Sequence, residues 1–264
     1  KAKYKQQKQL GEGGCGSVFA GYRKADHLPV SDTHTCSCTH KHTHTPYGHN
    51  VLIKVLFVSL GTSAPVSLLD WYDLGQKLIL VLERPVPCED LFTYLEVKRG
   101  TIQEEEAKVS YWRILCVGRQ LWSRIFHRDI KLENILIETG SDVPRVRLID
   151  FGLSCFFKKR SVFQDFYGTC DHIPPEYYSH FTYSASPTTV WQVGVVLFEI
   201  RHLPHLTPNL ESFSPDCQDF LKMCLTKLPA RRPTLEQLQL HPWIIYEESK
   251  DKSSENKTLP CYVI

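Results

Sequence analysis

The sequence predicts an α+β fold in two lobes, a small β-rich one followed by a larger, mainly helical one. Three observations lead there. The first third of the chain reads as short strands between turn residues. The segment Val190 to Ile200 (VWQVGVVLFEI) is apolar nearly all round, as a helix buried inside a domain is. Between the two regions lies a proline-rich connector, Glu83 to Pro87. The 264 residues suffice for one large domain or two lobes with real cores. The division expected is 1–84, 85–246 and a polar tail, 247–264.

Each element has its own signal. Ser17 to Tyr22 and Lys77 to Glu83 are β-branched or aromatic runs bounded by turn residues. Thr101-Ile102-Gln103-Glu104 is a capping box, and Ala107, Tyr111, Ile114, Leu115 and Gly118 follow it at helical spacing. Val146 to Ile149 reads as a strand. Ser214-Pro215 supplies an N-cap and an N1 proline to a helix carrying Phe220, Leu221, Cys224 and Leu225. Thr234-Leu235-Glu236-Gln237 caps a last short helix that stops at His241-Pro242. Beyond Tyr246 the run EESKDKSSENK is polar and charged, the composition of a disordered tail.

Composition excludes several classes of function. Lys+Arg 31 against Asp+Glu 29 leaves a formal charge of +2, too balanced for a protein built around nucleic acid or an acidic membrane surface. No apolar run reaches the roughly 18 residues of a membrane span, and the opening KAKYKQQKQ is no signal peptide. The ten cysteines, scattered from Cys15 to Cys261, read as reduced thiols of an intracellular protein and not as a disulfide framework. Thiol usage and absent targeting signals together point to the cytoplasm, with the nucleus as a second location. The chain opens on Lys1 and not on Met, as a fragment or trimmed product would. One oddity remains: His34, His40, His42, His44 and His49 crowd into 16 residues.

Four motifs carry chemistry. Leu10 to Val18 fits G-x-G-x-x-G-x-V, with glycines at 11, 13 and 16. Ser17-Val18-Phe19-Ala20 continues it as a strand, which suits a loop that folds over nucleotide phosphates better than a dinucleotide-binding turn. His127-Arg128-Asp129-Ile130-Lys131-Leu132-Glu133-Asn134 fits H-R-D-x-x-x-x-N. Sixteen residues after Asn134 stands Asp150-Phe151-Gly152, and Pro174-Pro175-Glu176 follows where A-P-E is expected. Taken in this order, the four resemble a protein kinase.

That resemblance implies phosphoryl transfer from ATP, with Mg²⁺, to Ser/Thr hydroxyls of protein substrates. Asp129 would accept the proton of the attacking hydroxyl and Lys131 would lie against the γ-phosphate. Asn134 and Asp150 would be the metal ligands, hard oxygens suited to Mg²⁺. Leu10, Gly11, Gly13, Gly16, Val18, Glu83, Leu136 and Ile149 would line the nucleotide cleft. His127 and Phe151 would pack in the column that aligns the lobes, and Glu176 would pair with Arg232. The hinge Glu83-Arg84-Pro85-Val86-Pro87, followed by Asp90-Leu91-Phe92, resembles the Pim family of serine/threonine kinases. So do LDW at Leu69, IKLENILI, LIDFG, VWQVG and RRPTLEQLQLHPW. Similarity covers roughly residues 10 to 24 and 66 to 245. Pro85 has no N–H, so adenine would lose one hinge hydrogen bond. The resemblance further implies an activation loop that needs no phosphate, with Asp165 supplying negative charge to Arg128 and Ser161 or Thr169 as weaker phosphosite alternatives. A monomer is expected.

The pattern breaks at the third strand. The family has V-A-I-K there and a glutamate on the helix that follows, whereas this chain reads Pro29-Val30-SDTHTCSCTHKHTHTPYGHN, then Val51-Leu52-Ile53-Lys54. Lys54 imitates the nucleotide-binding lysine, yet only 13 residues separate it from Leu68, and no glutamate occurs between Glu12 and Glu83. Lys54 could equally belong to a remnant of the missing helix. The expectation is a small lobe without an intact third strand or following helix. Residues 31–50 have three readings: a zinc site around Cys36, Cys38 and the histidines, a disordered polar insertion, or a translated intron. An AC repeat encodes Thr-His-Thr-His, so the last accounts best for a THT…THKHTHT string. Between Ile200 and Pro215 the connection is also shorter than in the family. Glu89, Asp90 and Glu133 match acidic positions for basic substrates, whereas Thr93 and Leu132 replace acids. Two functions follow: an active though impaired Ser/Thr kinase, or a pseudokinase and binding module with a defective nucleotide site.

Overall fold

The computed structural model describes residues 2–13, 16–36, 66–74, 77–98, 104, 108, 125–140, 145–202 and 213–245. The amino-terminal region is one antiparallel sheet of five strands: β1 (Tyr4–Gly13), β2 (Gly16–Arg23), β3 (Pro29–Cys36), β4 (Leu68–Asp73) and β5 (Lys77–Glu83), in the order β1-β2-β3-β5-β4. Its two faces carry separate apolar clusters. Tyr4, Val30 and Val81 pack with Leu69 on one, and Leu78 and Leu80 pack with Leu68, Trp71 and Leu82 on the other.

The third strand is present, which corrects the expectation drawn from its sequence. Pro29–Cys36 pairs with β2 on one side and β5 on the other, Val18 standing opposite Thr33 and Thr33 opposite Leu80. Residues 31–36 are therefore strand and not the start of an insertion. From Val30 to Thr35 the strand is paired on both sides, and β-branched Thr33 suits a pleated surface even where the sequence lacks an apolar run. The cost is visible at Asp32. It is buried among apolar neighbours, one carboxylate oxygen lacks any hydrogen-bond partner, and burial pushes its carboxyl above the usual range. The remainder of the histidine tract, Lys54 and the helix expected after β3 lie outside the described residues.

Past the connector, β6 (Cys88–Asp90) leads into α1 (Leu91–Val97), with Asp90 as N-cap accepting from Thr93 N at 2.9 Å. β7 (Ile125–Phe126) is followed by β8 (Ile135–Glu138) and β9 (Arg145–Leu148); β6, β8 and β9 form a three-stranded sheet in that order. β10 (Cys155–Phe156) pairs with β7. Then come α2 (Pro175–His180), α3 (Ala185–His202), α4 (Pro215–Cys224) and α5 (Leu235–Gln239). Helix α3 contains the expected buried segment, Val190, Val193, Val196 and Leu197 lying in the core with Phe220, Cys224 and Leu238 from α4 and α5. Ser214 and Thr234 cap α4 and α5 as expected, Thr234 and Gln237 forming a full capping box. Glu104 ties this end together, accepting from Ser214 N at 2.7 Å and Trp243 Nε1 at 2.8 Å. Deep beside α3, Arg232 meets Glu176 in a fully buried ion pair with Nη1 2.8 Å from Oε1.

Candidate active site

The segment between β7 and β8 is held open by hydrogen bonds that converge on its backbone and on Asp129. His127 is completely buried, and desolvation keeps its ring neutral by lowering its pKa. Asp129 N–H donates to His127 Nδ1 at 3.3 Å, so Nε2 carries the proton and donates to the Ile149 carbonyl at 3.0 Å. The Ile149 N–H returns a bond to the Asn134 carbonyl at 2.9 Å. The 127–134 segment, the expected catalytic loop, and the strand before Asp150 are thus laced together, and the His127 ring meets Phe151 edge-on at 4.8 Å. Those two residues pack as the sequence led us to expect.

Asp129 is pinned from two sides. Its Oδ1 accepts from Thr169 N at 2.9 Å and from Thr169 Oγ1 at 2.7 Å. Asn134 Nδ2 donates to the Asp129 carbonyl at 2.8 Å and to Oδ2 at 3.2 Å, and Lys131 Nζ stands 3.7 Å from Oδ2. Asp129, Lys131 and Asn134 therefore come together around one carboxylate. Asp150 sits nearby in chain terms at φ 59, ψ 70, a left-handed conformation that few non-glycine residues adopt. Its carboxylate accepts from Gly152 N at 3.2 Å, which caps a short turn and leaves the second oxygen uncommitted among the described residues. The Asn134 side-chain amide oxygen Oδ1 likewise has no donor among the described residues, so a pair of hard oxygen ligands is available to a cation.

Sequence reasoning missed three supports of this loop. Gln192 of α3 donates to the Arg128 carbonyl at 2.7 Å and holds Arg128 at φ 73. Gly168, at φ 123, lies so close that a Cβ there would stand 2.5 Å from the same carbonyl. Thr169 follows it directly. The signal was the GT pair ahead of Pro174-Pro175-Glu176, which reads as a loop until the fold brings it under Asp129. The proposed charge partner of Arg128 is a correction. Among the described residues Arg128 makes no ion pair with Asp165; its guanidinium lies over the rings of Phe163 and Tyr167 at 4.9 and 5.0 Å. Phe163 and Tyr183 exchange backbone hydrogen bonds, and the Tyr183 hydroxyl donates to the Asp165 carbonyl at 2.7 Å. Thr169, offered as a phosphosite, is committed to Asp129. Asp90 is spent capping α1, whereas Glu89 and Glu133 are exposed.

In the glycine-rich segment β1 and β2 are antiparallel neighbours, with Gly11 opposite Val18, Glu12 opposite Ser17 and Gly13 opposite Gly16. Gly16 takes φ 148, and the space above Gly11 is open. Leu10 is exposed and Val18 half-buried at the loop's two ends. Leu136 and Ile149 are half-buried on the lower sheet. At the connector the Glu83 N–H is taken by the Ser67 carbonyl at 2.8 Å, the Arg84 N–H by the Pro29 carbonyl at 3.3 Å, and Pro85 has none to offer.

Strand β3 carries no cation opposite the glycine-rich segment. Cross-strand partners share a face, so Val18 and Ala20 lie on the face that carries Thr33 and Ser31 of β3 and Leu80 and Leu82 of β5. A V-A-I-K lysine serving the glycine loop would stand on this face, and the residue directly across from Val18 is Thr33. At the mutually opposite positions Gly11, Val18, Thr33 and Leu80 none of the residues is basic; Lys5 shares this face but stands opposite Tyr22, its ammonium 5.9 Å from that ring. The loop adds an acid, Glu12, whose carboxylate accepts from Gln9 Nε2 at 3.1 Å.

Comparison with known proteins agrees with this geometry. The protein kinase domain family matches residues 4–244. The serine/threonine-protein kinase pim-2 of Danio rerio is 32% identical over 277 residues, covering 95% of this chain and 88% of that protein. The serine/threonine-protein kinase prk-2 of Caenorhabditis elegans is 32% identical over 278 residues, covering 97% of this chain and 62% of the worm protein. Sperm motility kinase 3A of Mus musculus is 27% identical over 264 residues, and the chain spans half of its length.

Proposed function

The chain belongs to the protein kinase domain family, and from that premise we propose that it transfers the γ-phosphoryl group of ATP to Ser/Thr hydroxyls of proteins with weakened phosphate positioning. Asp129 carries the reading. A carboxylate fixed by Thr169 and Asn134 in a loop locked by His127 and Gln192 is what orienting a hydroxyl requires, since phosphoryl transfer depends on positioning more than on covalent chemistry. Lys131, beside the same carboxylate, is placed to meet transferring phosphate oxygens. Asn134 and Asp150 would hold Mg²⁺, which supplies charge neutralisation on the phosphates when bound. Exposed Glu89 and Glu133 support acceptors with basic residues upstream.

Thr33 supports the weakened half of the proposal. A hydroxyl at the lysine's station gives no charge to the phosphates, and losing one such preorganised group costs about 10²–10³ in rate. The same observation favours a second reading, a nucleotide-free binding module. A γ-phosphate transfer assay on a basic Ser peptide separates them. Slow transfer by the wild-type chain, abolished by Asp150→Asn, supports the kinase; transfer indistinguishable from that of Asp150→Asn supports the module.

A further inference from the structure

Charges from β5, β8 and β9 meet beside the connector and take no part in the phosphoryl transfer proposed for Asp129. Arg147 sits on β9 and is buried, with only 7% of its surface exposed. Its Nε donates to Glu138 Oε1 at 2.6 Å, a partner on the adjacent strand β8. Its Nη2 stands 3.7 Å from Glu83 Oε1, and Glu83 is the last residue of β5, in the other lobe. The second Glu83 oxygen accepts from Ser67 N at 3.4 Å, at the entrance to β4. One buried guanidinium thus bridges a carboxylate of the lower sheet to the carboxylate that opens the connector.

The placement of Arg147 matters as much as its charge. It is the register partner of Leu136 and lies two residues before Ile149, so it shares a face with the residues assigned to the floor of the base slot. The upper edge of that slot is the connector, whose Arg84 N–H holds to Pro29 and whose Pro85 offers no donor. At its far end the connector holds the lower lobe through a main-chain bond, Thr139 N donating to the Pro87 carbonyl at 3.2 Å, and at its near end through the Glu83 side chain. A buried arginine that loses an anionic partner is strongly disfavoured, so the bridge resists opening of the connector.

We propose that Arg147 is a positioning residue that clamps Glu83 to the lower sheet and sets the height of the nucleotide base slot. The proposal rests on the nucleotide reading of the cleft, and adenosine is the probe that keeps the two separable, since it has no phosphates to feel Thr33. Arg147→Gln and Glu83→Gln should each weaken adenosine binding about tenfold, and the double variant should lose little more. Arg147→Lys, which keeps the charge, should retain most of the affinity. Hydrogen exchange at the Arg84 amide should quicken in both single variants while the amides of β8 and β9 stay protected. Glu83→Gln, at a less buried position that still accepts from Ser67, covers the case in which Arg147→Gln does not fold. Unchanged adenosine affinity with unchanged Arg84 exchange, or strictly additive losses in the double variant, overturns the clamp. If the wild-type chain binds no adenosine the nucleotide reading falls, and the exchange measurement alone then decides: faster Arg84 exchange upholds the clamp and unaltered exchange overturns it.

Discussion

The catalytic loop and strand β3 have been treated very differently. Around Asp129 the polar groups are matched closely: His127 has one defined tautomer, Asn134 reaches carbonyl and carboxylate, and Thr169 closes the remaining side. In β3 the backbone is equally well paired, yet the side chains do nothing comparable. Thr33 presents a hydroxyl where a cation belongs, and Asp32 buries a carboxylate with an oxygen left unpartnered. The comparison teaches that the ladder and the chemistry are separable. A strand flanked by two others keeps its place through main-chain bonds while its side chains drift away from function.

The contrast can be broken most forcefully at the loop. Asp129→Asn keeps the shape that Thr169 and Asn134 grip, so the fold should survive while phosphoryl transfer falls by about 10²–10⁴-fold, measured as initial rate. A residual rate above a tenth of the wild type would mean that the ordered loop is a structural relic. Next in size is Arg232→Met, which leaves Glu176 buried and unpaired; chemical denaturation should show a loss of about 3–5 kcal/mol. That site belongs to the well-matched half of the molecule, and a loss near zero would say that the matching is ornamental.

Strand β3 should respond in the opposite sense, by gain. Thr33→Lys places a charged donor opposite Val18, and one charge-assisted hydrogen bond to a phosphate is worth about 1.5–3 kcal/mol, or roughly 10–100-fold in ATP affinity. The smallest effect concerns Asp32→Val, which removes the buried carboxylate with its unpartnered oxygen and should stabilise the fold by about 1–2 kcal/mol at neutral pH. The sign of its pH dependence is fixed. The folded-state pKa of Asp32 is raised by burial, so its contribution is most favourable below the ordinary carboxylate value of about 3.9 and is lost as pH rises through the raised value. The advantage of Asp32→Val over wild type should therefore grow as pH rises through that window and vanish in acid, read from denaturation midpoints.

How legible the molecule was in its sequence follows the same division. The residues of H-R-D-x-x-x-x-N and Asp150 declared their chemistry because fixed spacing reflects a rigid local turn. The Glu176–Arg232 pair and the Ser214 and Thr234 caps were readable for the same reason. Strand β3 was not. Ser31 to Cys36 has no apolar alternation, and what holds it is supplied by β2 and β5, which are distant in sequence. Arg128 misled for a related cause: aromatic rings at 126, 163 and 167 converge on it only in three dimensions, so an acid close to them in the chain was the natural choice. Gly168 and Thr169 were visible as letters, but not the hold that the Thr169 donors take on the Asp129 carboxylate.

The central claim is that a complete catalytic loop works beneath a β3 strand that lacks its cation. Titration of ATP into the wild-type chain and into Thr33→Lys, followed by protein fluorescence, tests it most directly. The account predicts weak ATP binding by the wild type and at least tenfold tighter binding by the variant. Tight ATP binding by the wild type that Thr33→Lys leaves unchanged would contradict it.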